Sequence, residues 1–267
     1  MQNLRVSTVQ GATVWHDPAG NRAYYGDLIA PLHGRTDLVV LPETFTSGFS
    51  NDAIDRAEDM DGPTVAWMRE QAAALDAAVT GSVQLRDGDG DGVYNRMLWA
   101  TPDGELQHYD KRHLFRYANE HKRYAAGRER LTVEWKGWRI NPQVCYDLRF
   151  PVFCRNRFDV ERPDGLDFDL QLFVANWPAA RAYAWKTLLR ARAIENLCYV
   201  VGVNRVGTDG NGLAYSGDSA VLDMLGQPLS ESMDEEVVST TTLSAEQLQA
   251  HRAHFPAMLD ADRFEIL

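Results

Sequence analysis

Short apolar runs alternate with helix-like stretches along most of this sequence. Residues 4–9 read as a strand and 21–32 as a helix. Residues 38–41 (Leu-Val-Val-Leu) are too apolar to carry a solvated face, so they belong in the middle of a sheet. That run stops at Pro42-Glu43. Residues 62–75 form a helix with Pro63 near its first turn, where a missing N–H has no partner to lose. The pattern predicts strands at 79–85 and 94–100, with Arg-Asp-Gly-Asp-Gly-Asp-Gly (86–92) as their hairpin connection. Further strands follow at 107–109, 131–135, 138–144, 170–175 and 199–204. Between the last two, 185–196 is a helix with Leu188, Leu189, Ala193 and Leu197 on or near one face. A turn at 209–212 leads to short strands through Thr242, and Ser244 with Gln247 forms a capping-box pattern for a final helix. No Pro/Gly/Ser linker and no internal repeat breaks the series, so the expectation is a single α/β domain over 1–267.

Composition narrows the setting. The chain has 267 residues, 45% hydrophobic and 24% charged, enough for a sizeable core. Its net charge of −11 argues against nucleic acid or an anionic membrane as the main partner, while leaving room for a local basic pocket. The N-terminus shows no signal-peptide apolar region and no run approaches spanning length, so a cytoplasmic protein with no membrane partner is expected. Cys145, Cys154 and Cys198 are odd in number and form no CxxC pair, which suits reduced thiols. The Asp-Gly repeat from Asp87 imitates a calcium loop, but Leu98 stands at the twelfth position where a Glu belongs. With no phosphate-cradling Gly motif and no metal-ligand spacing, no cofactor and no metal are expected.

Three apolar strands end on residues with chemistry: Glu43, Cys145 and Asn176-Trp177-Pro178. Ligands of α/β sheets gather outside the carboxyl ends of strands. Pro151 lacks an N–H and steers Phe150 out of helical torsions, so the chain turns between Cys145 and Pro151. A cysteine at such a break is a candidate nucleophile, although an arbitrary cysteine is more often a core residue. Its activating partner decides between the two. One choice is a histidine, His108, His113 or His121. The other is Lys111, just past a short strand, which favours a thiolate and offers a fixed cation to an oxyanion. Glu43 would then take the thiol proton and return it to a leaving amine. Singly, Glu43 and Lys111 read as solvated charges.

Together, Leu-Pro-Glu at 41–43, Asp-Lys-Arg-His-Leu-Phe at 110–115 and Cys-Tyr-Asp-Leu-Arg-Phe-Pro at 145–151 resemble the three catalytic blocks of the nitrilase superfamily of carbon–nitrogen hydrolases. The resemblance runs from the first strand to about Asp223. Val-Ala-Asn-Trp-Pro at 174–178 and Arg-Ala-Ile-Glu-Asn at 192–196 resemble its ω-amidase branch, which hydrolyses monoamides of dicarboxylic acids, notably 2-oxoglutaramate and 2-oxosuccinamate. The resemblance implies Cys145 as nucleophile, Glu43 as general base, Lys111 as oxyanion-stabilising cation with the Tyr146 N–H as second donor, and Glu120 as a further glutamate of the site. It also implies a thioester intermediate, a four-layer α-β-β-α sandwich and a homodimer, with 244–267 a C-terminal helix and tail at the dimer interface.

An ω-amidase must hold a carboxylate away from the scissile amide. Arg149 is the first candidate, since a guanidinium matches a carboxylate bidentately. An ion pair with Asp147 is its structural alternative. Trp177 is expected to line the pocket, with Arg181 a second carboxylate candidate. One departure from the family pattern stands out: residues 155–169 are charged and longer than the usual connection. Tyr146-Asp147 follows the cysteine where true nitrilases have Trp-Glu, which argues against attack on a nitrile.

Overall fold

Three parallel strands form the centre of each of two sheets, and the sheets share a core. The computed structural model describes residues 1–87, 92–162 and 165–266. Residues 88–91 of the expected hairpin connection and calcium-loop imitation lie outside the described residues. The first half runs β1 (Leu4–Gln10), α1 (Pro18–Ile29), β2 (Leu38–Val40), α2 (Pro63–Leu75), β3 (Ala78–Arg86), β4 (Val93–Ala100) and β5 (Leu106–Asp110). The second runs β6 (Val133–Trp135), β7 (Trp138–Val144), α3 (Pro151–Cys154), β8 (Leu170–Ala175), α4 (Ala182–Asn196) and β9 (Tyr199–Asn204). It continues through β10 (Val206–Thr208), β11 (Ala214–Ser216), β12 (Ala220–Leu222), β13 (Pro228–Glu231), β14 (Val237–Leu243) and α5 (Ala245–His254). One sheet has the order β14-β1-β2-β3-β4-β5 and the other β13-β12-β9-β8-β7-β6. β1, β2 and β3 are parallel, as are β7, β8 and β9.

The apolar runs follow from burial on both faces. Leu38 and Val40 of β2 meet Leu170, Leu172 and Val174 of β8 between the sheets. Val39 and Leu41 turn the other way, onto Tyr25 and Ile29 of α1 and Val65 and Met68 of α2. Phe173 and Ala175 likewise turn outward onto Trp185, Leu189 and Ala193 of α4. The period of two therefore feeds two cores at once, each fully buried Leu or Val contributing about 1.5–3 kcal/mol. The result is the four-layer α-β-β-α sandwich.

Local chemistry moved two helix starts and changed one cap. α1 starts at Pro18 rather than Asn21, because the Asp17 side chain accepts from the Gly20 N–H at 2.9 Å and Pro18 suits the first turn. Asn21 is then inside the helix, where its amide donates to the carbonyls of Val14 and Thr46, both at 2.7 Å. α4 starts at Ala182 rather than Trp185, carrying one more turn toward the strand end at Asn176. At α5, Ser244 Oγ accepts the Gln247 N–H at 3.2 Å as expected, but the Ser244 N–H donates to the Tyr199 hydroxyl, so half of the capping box is replaced by a tertiary bond.

Candidate active site

Because their strands are parallel within each sheet, β2 and β8 deliver Glu43 and Asn176 at their carboxyl ends, and β7 delivers Cys145. The two sheets bring those ends together: the Asn176 N–H donates to Glu43 Oε2 at 2.7 Å, and the Asn176 side-chain amide donates to the Glu43 carbonyl at 2.6 Å. β5 ends at Asp110, which places Lys111 in the same corner. Its Nζ donates to Glu43 Oε1 at 2.9 Å and to Glu120 Oε1 at 3.0 Å, with all three side chains buried. Its backbone is tied on both sides, N–H to the Asn95 carbonyl and C=O to the Gly127 N–H, each at 3.0 Å. A Cβ on Gly127 would sit 2.1 Å from the Asp110 carbonyl, so only glycine lets this loop close on the lysine.

One partner of Glu43 was missed from sequence. Asn95 of β4 donates to Glu43 Oε1 at 2.8 Å and is held by Ser82 Oγ at 2.8 Å. The available signal was polar residues at alternate positions of β3 (Thr80, Ser82, Gln84) facing a strand that carries Asn95. Glu120, expected only through the family pattern, anchors its second oxygen on the Phe115 N–H at 2.5 Å.

Cys145 has φ +46°, a left-handed conformation that costs a non-glycine residue on the order of 1–3 kcal/mol and turns it out of the β7 direction. It heads a 3-10 helix, Cys145–Arg149, so the Tyr146 N–H lies in a first turn whose donors have no acceptor within the helix. The turn is pinned from α4. Arg192 Nη2 donates to the Leu148 carbonyl at 2.7 Å, and the Asn196 amide donates to the Cys154 carbonyl at 3.0 Å. The Arg-Ala-Ile-Glu-Asn motif is thus a brace behind the cysteine.

Electrostatics correct one expectation. Lys111 does pull the thiol toward ionisation, but burial and then Glu43 outweigh it and push Cys145 well above the usual cysteine range. Burial pulls Lys111 down, yet Glu120 and Glu43 hold it well above an ordinary lysine. Burial raises Glu120, with Lys111 opposing. The resting site therefore holds a protonated thiol beside an ammonium and two carboxyl groups, rather than a preformed thiolate.

Above Cys145 and Lys111 lies a cavity of about 220 Å³, also lined by Tyr146, Trp177, Arg149 and Arg181. The Arg149 guanidinium stacks 4.8 Å from the Trp177 ring centre, and that of Arg181 lies 5.4 Å from the Phe115 ring centre. No aspartate or glutamate lines the cavity among the described residues. The expected alternative partner of Arg149, Asp147, is turned inward and bonded to Tyr109 and His113. None of His108, His113 and His121 lines the cavity, and His113 Nδ1 is committed to Asp147 at 2.8 Å. Among the described residues no group of three or more His, Cys, Asp or Glu side chains is set to hold a metal ion.

A larger groove, about 900 Å³, lies elsewhere, lined by Arg157, Arg162, Asp167 and Asp169 and by residues of α5. Its arginines are engaged: Arg139 and Arg252 bind Asp169, while Arg130 and Arg157 bind Asp167. Arg157, Asp167 and Asp169 of the charged 155–169 stretch thus belong to an ion-pair knot, while residues 163–164 lie outside the described residues.

The sequence model of carbon–nitrogen hydrolases matches residues 5–253. The chain belongs to the carbon–nitrogen hydrolase family. Omega-amidase YafV of Yersinia enterocolitica is 47% identical to it over 268 residues, with 100% of both chains covered. 2-Oxoglutaramate amidase of Bacillus subtilis is 33% identical over 228 residues, 84% of each chain. The solved structure of XC1258 from Xanthomonas campestris, a CN-hydrolase superfamily protein with an arsenic adduct in its active site, matches with a TM-score of 0.97, 76% identity and 100% of both chains covered. This carbon–nitrogen hydrolase is accordingly an enzyme that acts on amides, and its sandwich is of the nitrilase type.

Proposed function

We propose that the enzyme is an ω-amidase, hydrolysing the terminal amide of small dicarboxylic monoamides such as 2-oxoglutaramate and 2-oxosuccinamate to acid and ammonia. The observation that carries this reading is one small cavity with Cys145 and Lys111 at its base and two guanidiniums, Arg149 and Arg181, that make no ion pair among the described residues. Such a cavity accepts an anion at one end and an amide at the other. The relatives named above support the same substrate class.

Cys145 Sγ attacks the amide carbonyl as Glu43 takes its proton, which fits a thiol held protonated at rest. The oxyanion forms against Lys111 and the Tyr146 N–H. An ammonium has three donors, and Glu43 and Glu120 use two, leaving one for the oxyanion. The C–N bond breaks as Glu43 passes its proton to the nitrogen, and ammonia leaves a Cys145 thioester. Glu43 then deprotonates water, hydroxide attacks the thioester, and the acid departs as the thiol regains its proton. Asn95 and the Asn176 N–H fix the Glu43 carboxylate for both transfers.

Arg149→Ala tests the substrate. Loss of a charge-assisted contact should lower kcat/KM for a dicarboxylic monoamide about ten- to a hundred-fold while sparing a neutral amide such as butyramide. Equal losses on both substrates would remove Arg149 from substrate binding. Arg181 is the second candidate for the carboxylate. We also infer a cytoplasmic homodimer. Three free cysteines suit a reducing compartment, and Phe255 and Leu259 of the 244–267 segment expose apolar surface suited to a second copy.

A further inference from the structure

The lysine and the cysteine of this site sit on different strand ends, and among the described residues the Lys111 side chain hydrogen-bonds to Glu43 and Glu120 alone. Another group has to set the distance between them. Asp147, fully buried two residues past Cys145, reaches both loops. Its Oδ2 accepts the Val144 N–H at 3.0 Å, immediately before the nucleophile. The same oxygen accepts the Tyr109 hydroxyl at 2.8 Å. Its Oδ1 accepts the His113 N–H at 3.0 Å and faces His113 Nδ1 at 2.8 Å. Tyr109 and His113 flank Lys111 on either side, and the Tyr109 oxygen in turn accepts the Arg112 N–H at 3.1 Å. The His113 ring also stacks on Phe150 with centroids 3.7 Å apart, a second tie between the two loops.

We propose that Asp147 is a positioning residue that clasps the lysine loop to the cysteine turn, and so sets where the oxyanion forms between Lys111 and the Tyr146 N–H. Neither oxygen of Asp147 is free: Oδ2 bridges the two segments, with Val144 on one side and Tyr109 on the other, while Oδ1 holds His113 of the lysine loop. The clasp also holds the strained backbone at Cys145, through the bond to Val144. The ionisable groups facing Asp147 are Tyr109, His113 and Cys154. Those facing the Cys145 thiol are Glu43, Lys111 and Glu120. Burial, and then Asp147 itself, hold Tyr109 well above the usual tyrosine range, so its hydroxyl remains a donor. A misplacement of about 1 Å in such a site costs on the order of a hundred-fold in rate.

The inference rests on the roles given above to Cys145 and Lys111. Its test is Asp147→Asn, which keeps size but turns one doubly used acceptor into a donor. Three quantities are measured: kcat and KM on the monoamide, the pH profile of Cys145 alkylation by iodoacetamide, and the folded fraction. The expected result is a kcat about ten- to a hundred-fold lower with KM within about two-fold. The alkylation profile moves to higher pH, because Lys111, which opposes the rise of the thiol, is no longer held beside it. Tyr109→Phe, the milder change, moves both readouts the same way, and the double variant loses less than the product of the singles. Activity loss that merely follows loss of folded protein, with the alkylation profile unmoved, would make Asp147 a structural residue and overturn the proposal. An unchanged kcat would overturn it too. Alkylation needs no substrate, so it decides on Asp147 even if wild-type enzyme turns over no dicarboxylic monoamide, an outcome that would sink the substrate reading alone.

Discussion

The two ends of β8 hold buried charge in opposite balance. At the amino end one carboxylate, Asp169, faces two guanidiniums, Arg139 at 2.7 Å and Arg252 at 2.6 Å. Burial would lift its pKa, and the two arginines more than reverse that, leaving it below the usual carboxylate range. β2 repeats the device: Asp37 precedes it and is bound by Arg5 and Lys136. At the carboxyl end one ammonium, Lys111, serves two carboxyl groups, and Cys145 and Glu120 both lie above their ordinary values. Where cations are in excess the protons are gone and the strand is fastened. Where acidic groups are in excess a proton is retained and can be moved. The same residue types serve stability at one end and chemistry at the other.

Lys111→Ala should break the reactive end. Losing one oxyanion donor costs about 2.7–4 kcal/mol of barrier, a factor of roughly 10²–10³ in kcat. The structure adds that Glu43 and Glu120 would be left buried without their cation, so the rate must be taken per folded molecule, with folding followed by circular dichroism. A near wild-type rate would contradict the scheme.

Asp169→Asn should break the fastening end instead. It leaves Arg139 and Arg252 facing a neutral amide and should cost about 3–5 kcal/mol in urea unfolding, with kcat per folded enzyme little changed. A smaller, graded effect sharpens the contrast. Asp37, Asp167 and Asp169 all have folded pKa values below their unfolded ones. Their contribution is therefore present above about pH 4 and lost as pH falls below it. Urea midpoints measured between about pH 6 and pH 3 should decline, and Asp169→Asn should flatten that decline; a parallel decline in the variant would exclude Asp169 as a source.

The apolar runs made an α/β sheet protein legible, while the four-layer sandwich followed only from the family resemblance; the reactive corner was legible because Glu43, Lys111 and Cys145 all follow strand ends. Partnerships across strands were not legible. Asn95 reaches Glu43 only because β4 and β3 pair in a register that sets it opposite Gln84 and diagonal to Ser82, which holds it. Asp147 and Arg149 look like an ion pair by their spacing, yet residues two apart on a helical turn face different ways. The 3-10 helix after Cys145 turns Asp147 inward and leaves Arg149 exposed at the cavity. The braces from Arg192 and Asn196 belong to a motif visible in sequence, but what they hold was set by the fold.

The central claim is that Cys145 carries the acyl group. Enzyme turning over a dicarboxylic monoamide, quenched rapidly in acid and digested, should yield the Cys145 peptide heavier by the acyl group, and hydroxylamine should remove the added mass. Acylation at another residue, or steady turnover with no acyl group on Cys145, would contradict the account.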